Sequence, residues 1–176
     1  GVQLRRDRLS PVALYSTQGR ALVSVTSQDE ATVTSVAPYF SNTFKWNEWL
    51  RTIAGIRLDY QKFDVTTLLP ANSGNKSDTL KSPKLSVVLG PWAQTEFFLN
   101  WGRGLHSHDA RGVNQTVDPK NGNAAAPVSP LVRTTGYEAG VRTQRILGAT
   151  ASRALWQLRQ NSELVYAGDV GTTAPS

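Results

Sequence analysis

The chain contains no cysteine, no methionine and only two histidines among its 176 residues. Without cysteine it has no disulfide scaffold and no thiolate metal site, although this says little about compartment. A complete translated chain begins with methionine, so one that lacks it and opens Gly1-Val2-Gln3-Leu4 is expected to be a processed product or a fragment. Helical periodicity is poor, and neither a signal peptide nor an apolar run long enough for a spanning helix is present. That excludes helical membrane proteins only. A spanning β-strand needs about 9–11 alternating residues and escapes a hydropathy scan. With 39% hydrophobic residues, any buried face must come from alternating positions. The net charge of +6 arises without a basic run, since only Arg5 and Arg6 are adjacent. Lacking a basic stripe interleaved with aromatics, the chain is not expected to bind nucleic acid.

What it does have is period two. In Glu96–Gly112, Phe97, Leu99, Trp101 and Leu105 share one parity, and Phe98, Asn100, Gly102, Gly104 and His106 share the other. Successive side chains of a strand point to opposite faces, so this reads as a ribbon with one apolar and one polar, glycine-rich side. The same alternation sets Thr52, Ala54, Ile56, Leu58 and Tyr60 against Arg51, Gly55, Arg57, Asp59 and Gln61. It sets Leu85, Val87 and Leu89 against Lys84, Ser86, Val88 and Gly90. Tyr137, Ala139, Val141 and Thr143 oppose Gly136, Glu138, Gly140 and Arg142. In 153–166, Ala154, Trp156, Leu158, Leu164 and Tyr166 oppose Gln157, Arg159, Asn161 and Glu163. Segments 2–9 and 31–44 are strand-like by β-branched content, with no clear face. The expectation is an all-β, antiparallel up-and-down meander of about seven strands.

Short connections near Lys45-Trp46-Asn47, Gly90-Pro91-Trp92-Ala93 and Leu147-Gly148-Ala149 alternate with long ones at 66–81, 107–130 and around 10–29. A meander then carries tight turns at one end and long loops at the other, and long loops are commonly functional. Phe44, Trp46, Trp49, Trp92 and Phe97 cluster at the tight turns, as aromatics do at membrane–water interfaces. Together these features describe an outer-membrane β-barrel. A soluble secreted sandwich or barrel that binds carbohydrate or peptide alternates too, but its polar face is more often rich in Lys and Glu.

Few residues here carry chemistry. His106, His108 and Asp109 invite a metal reading, but a structural zinc site needs four ligands and no further His or Cys lies nearby. They read instead as hydrogen-bonding groups at a strand end, with no metal. There is no nucleophile motif, and Gly102-Arg103-Gly104 is a G-x-G inside a strand. Asp59 and Glu138 resemble paired glycosidase carboxylates only until polar ladders on one wall explain them. No catalytic residue and no cofactor is expected.

Laid out this way, the chain resembles the C-terminal part of the barrel of a TonB-dependent outer-membrane receptor. The matching phrases run from Trp49-Leu50-Arg51-Thr52 and Gly55-Ile56-Arg57-Leu58-Asp59 through Ser82-Pro83-Lys84-Leu85 and Gly90-Pro91-Trp92. They continue with Thr95–Ser107, Asp109-Ala110-Arg111-Gly112, Pro130-Leu131-Val132-Arg133 and Gly136–Thr143. The last are Ser162–Tyr166 and Gly168–Thr173. The resemblance implies that residues 1–176 are an open fragment of a roughly 22-stranded transmembrane β-barrel. Such receptors lie in the outer membrane of Gram-negative bacteria. They import scarce nutrients such as ferric siderophores or cobalamin, powered through the TonB complex, which contacts the N-terminal plug region. This sequence departs from that pattern in lacking a plug domain, a TonB-contacting box and a C-terminal strand ending in an aromatic. A passive porin shares the lumen logic without the plug. Seven strands cannot close even a barrel of about eight, so the fragment is expected neither to transport nor to fold stably alone.

The resemblance directs the apolar parity to lipid: Leu85, Val87, Leu89, Phe97, Leu99, Trp101, Ala139, Val141, Trp156 and Leu158. Arg57, Asp59, Asn100, Glu138, Arg142, Arg159 and Glu163 are expected to face the lumen and plug, as is His106. The substrate-side candidates are His106, His108, Asp109, Arg111, Lys120 and Arg133, whose cations suit an anionic metal chelate.

Overall fold

The computed structural model describes residues 1–162, 164–167 and 172–175. Seven strands form one sheet in chain order. They are β1 (Val2–Gln18), β2 (Ala21–Lys45), β3 (Leu50–Thr67), β4 (Gly74–Trp92), β5 (Thr95–Ser107), β6 (Leu131–Thr143) and β7 (Ala151–Gln160). Each pairs antiparallel with its sequence neighbours, leaving β1 and β7 as open edges. A separate ribbon pairs β8 (Leu164–Ala167) with β9 (Thr172–Pro175). The expected strand 153–166 is therefore two elements, interrupted after Gln160.

The turns follow from local chemistry. Gly19 and Arg20 have φ of 56° and 71°, the positive pair that a two-residue hairpin needs. Ala93 and Gln94, at 48° and 60°, repeat it without a glycine. Between β2 and β3 the Asn47 carboxamide oxygen accepts from the backbone N–H groups of Trp49 (3.0 Å) and Leu50 (2.8 Å). All three short connections are where the alternation put them.

The long connections differ. Only the segment between β5 and β6 is a long loop, and it carries a one-turn helix, α1 (Ala110–Asn114). Segment 66–81 is mostly strand, broken by a 3-10 turn at Pro70–Asn72. Segment 10–29 is the end of a long β1–β2 hairpin. In 74–81 the inward parity, Lys76, Asp78 and Leu80, is mostly polar, and 10–29 is exposed on both faces over most of its length. Without a buried apolar side there is no pressure for hydrophobic alternation, so strands there look like loops in sequence.

Register fixes the faces. Leu89, Phe97 and Val141 lie side by side; so do Val87, Leu99 and Ala139, then Leu85, Trp101 and Tyr137. On β3 the partners of this band are Leu50, Thr52 and Ala54. The band stays open to solvent, with Leu99 55% exposed. A contiguous exposed apolar surface of this kind marks an interaction face. The small buried core lies elsewhere, at the long-loop end: Ala31, Phe63, Val65, Leu80, Ala110 and Leu131, with Leu105 packed beside it.

One expectation is reversed at β7. Trp156 lies opposite Glu138 and Leu158 opposite Gly136, whereas Leu155 pairs with Ala139 and Arg159 with Thr135. Trp156 and Leu158 therefore share the polar face, and Arg159 stands on the apolar one. Leu155, Trp156 and Leu158 put bulky apolar groups on both parities, so period two does not select a face. Pairing with β6 does, and one residue of register inverts every side chain.

Candidate functional site

The polar face of β1–β5 encloses an open trough of about 860 Å³. Its lining includes Arg5, Asp7, Arg57, Asp59, Ser82, Lys84, His106 and His108. Alternation collects polar and charged residues on this face, and the charges pair both two residues apart on one strand and across strands. Arg57 donates to Asp59 (2.7 Å) and to the Gln3 side-chain oxygen (2.7 Å). Asp59 is 1% exposed, so losing Arg57 would strand a buried carboxylate. Towards the tight-turn end, Asn100 donates to Glu138 at 2.8 Å. Glu96 takes a bidentate pair from Arg51 (2.8 and 3.0 Å) and a further bond from Arg142.

Thus Arg57, Asp59, Asn100, Glu138 and Arg142 share one face and lie in polar ladders. Arg159 is on the other face. Glu163 lies outside the described residues. Glu96 and Arg51 are ladder members missed in the sequence, although Glu96 shares the parity of Asn100.

At the long-loop end the candidates divide into two groups. His106 is exposed at the top of β5 and His108 is buried, both lining the trough. Asp109, Arg111 and Lys120 meet in a second groove of about 230 Å³, against the β1–β2 hairpin at Leu14 and Asp29. Asp109 caps α1, accepting from the Arg111 N–H at 2.9 Å, and the Arg111 guanidinium grips the same carboxylate at 3.0 and 2.6 Å. Burial alone would raise the Asp109 carboxyl, but the hydrogen bonds and charge of Arg111 outweigh it and hold it below the usual range. Arg111 is raised in turn, chiefly by its hydrogen bond to Asp109. Lys120 has no ion pair among the described residues. Arg133 stands apart on β6, opposite Leu105.

The loop carrying these groups is latched. Asn72, 6% exposed, donates to the Val117 carbonyl (2.8 Å) and accepts from the N–H groups of Thr116 (2.9 Å) and Val117 (2.9 Å). Lys76 donates to the Val113 carbonyl at 2.7 Å. Nothing local in the sequence announces Asn72, because its partners lie more than forty residues away.

The chain matches, over residues 1–176, the family model described as TonB dependent receptor-like, beta-barrel. No curated protein matches it. Among solved structures it is similar to the alcaligin outer-membrane receptor FauA of Bordetella pertussis, with a TM-score of 0.58 and 16% identity. The likeness covers 78% of this chain and 23% of that one, so the chain spans less than a quarter of that receptor. Sheet order, the exposed apolar band and the ladder-lined inner face are those of a barrel wall. The chain therefore belongs to the TonB-dependent receptor β-barrel family, whose barrels lie in the outer membrane of Gram-negative bacteria.

Proposed function

We propose that this chain forms part of the wall of a larger, plugged barrel that captures a scarce metal chelate or cobalamin-like nutrient and imports it actively. On this reading the apolar band meets outer-membrane lipid. The ladder-lined face, with Arg57, Asp59, Asn100, Glu138 and Arg142, meets the lumen and an N-terminal plug that couples to the TonB complex. The observation that carries it is the gathering of Asp109, Arg111 and Lys120 in a groove beside the mouth of the trough. Arg111 is paired with Asp109, so Lys120 is the cation of the groove without an ion pair among the described residues, and it shares that groove with Asp29 and Asp118. FauA is a receptor for alcaligin, at an identity to this chain too low to carry its cargo across.

The test uses the intact receptor containing this chain, in cells given radiolabelled ferric chelates or cobalamin. Uptake should stop when a protonophore collapses the proton gradient, and Lys120→Ala should weaken binding of an anionic chelate by about tenfold, one lost charge-assisted contact. Uptake that persists without the gradient identifies a passive porin and sinks the proposal.

A further inference from the structure

Three buried side-chain atoms lining the trough lack a hydrogen-bond partner: Asp59 Oδ2, Ser82 Oγ and His108 Nε2. Asp59 is held through its other oxygen by Arg57. His108 is different in kind. Its Nδ1 lies 2.8 Å from the Ser129 carbonyl oxygen, which can only accept, so Nδ1 carries the proton. In the neutral ring Nε2 is then left with a free lone pair, on a side chain 4% exposed. A buried acceptor without a donor is costly. A backbone carbonyl that fixes the tautomer through one ring nitrogen is also how metal-binding histidines are oriented.

A second imidazole is adjacent. His106, two residues earlier on β5, places its ring centre 5.7 Å from that of His108, with the planes 78° apart. Two imidazoles sharing one ion, each at a metal–nitrogen distance of about 2.0–2.1 Å, hold their ring centres about 5–6 Å apart. His106 is exposed and lines the same trough as His108. No group of three or more His, Cys, Asp or Glu surrounds the pair among the described residues. The protein side therefore offers two ligands and leaves the rest open.

We infer that His106 and His108 form a two-imidazole site for a borderline transition-metal cation, its remaining positions filled by cargo or water. Imidazole suits copper, nickel, zinc and iron. Binding replaces two labile water ligands by ring nitrogens, with no redox change. The inference rests on the reading of the cargo as a metal complex and narrows it: the metal is one that its chelator leaves coordinatively unsaturated. A fully wrapped ion has no position for either histidine.

The probe is Cu²⁺, added to the intact receptor purified in detergent without a polyhistidine tag and followed by electron paramagnetic resonance. The expected result is one Cu²⁺ per barrel with hyperfine structure from two ring nitrogens. His106→Gln, a change at an exposed position that leaves folding intact, should retain one nitrogen and weaken binding at least tenfold; His108→Gln should remove the other. Absence of stoichiometric Cu²⁺, or an affinity and nitrogen count unchanged in His106→Gln, overturns the site. Uptake of unsaturated metal complexes that is equal in parent and His106→Gln overturns its role in cargo choice. Intact Cu²⁺ binding in a receptor with no gradient-driven uptake overturns the transport reading alone and leaves the site standing.

Discussion

Gly140 shows how tightly one position on the inner face is specified. A Cβ built there would lie 2.6 Å from the Arg153 carbonyl oxygen on β7 and would collide with the Phe98 ring across from it on β5. The obstacle includes backbone, so it cannot be relieved by turning a side chain. Gly140→Ala should cost about 1–3 kcal/mol by overpacking. Denaturant unfolding of the intact receptor in lipid vesicles reads this directly, and an unchanged midpoint would show that β6 and β7 are not so close. Individual residues are only partly legible in the sequence. The ladder carboxylates Asp59 and Glu138 follow from parity, Asp59 because Arg57 and Gln61 lie two residues away and Glu138 because its own parity opposes Tyr137, Ala139 and Val141. The pairing of Asp109 with Arg111 does not, because a cap depends on where the loop chooses to begin a helix.

At the scale of elements, tight turns are readable and long connections are not. Asn47 and the Gly90-Pro91-Trp92-Ala93 stretch carry their own instructions within a few residues, whereas the turn at Gly19 is hidden in a segment that reads as a long connection. Segment 66–81 carries no such instructions, and its strand character comes from pairing with a β3 stretch that supplies Leu58, Tyr60, Phe63 and Val65 opposite its own mostly polar residues. The Asn72 latch is the sharpest case, since it joins the turn between β3 and β4 to the loop between β5 and β6. Asn72→Ala deletes one donor and leaves the part-buried Thr116 and Val117 N–H groups without that acceptor. Loosening the loop by about 1–3 kcal/mol is expected. Hydrogen exchange at the Thr116 and Val117 amides should accelerate correspondingly while β5 and β6 stay protected; unchanged exchange would mean the latch contributes nothing.

For the whole molecule, the fold class and the faces of β3 to β6 are legible because one side of each strand is apolar and the other is not. β7 misleads because it is apolar on both. The two tryptophans that alternation places together should therefore behave differently. In single-tryptophan versions of the intact receptor, brominated lipid should quench Trp101, on the apolar band, and spare Trp156, on the face of Glu138. Equal quenching would mean that β7 sits one residue out of the register described.

The β1–β2 hairpin adds a dimension that the membrane does not require. At about 3.4 Å per residue, the 25 residues of β2 extend roughly 80 Å, against spans of about 9–11 residues for a tilted transmembrane strand. With the apolar band in lipid, as proposed, much of that ladder, with its tip at Gly19 and Arg20, would project clear of the bilayer. Its consequence is one of reach. The β5–β6 loop packs against the hairpin at Leu14 and Asp29, so only the stretch from there to the tip stands beyond it, and a body too bulky to enter a closed barrel would meet that tip first.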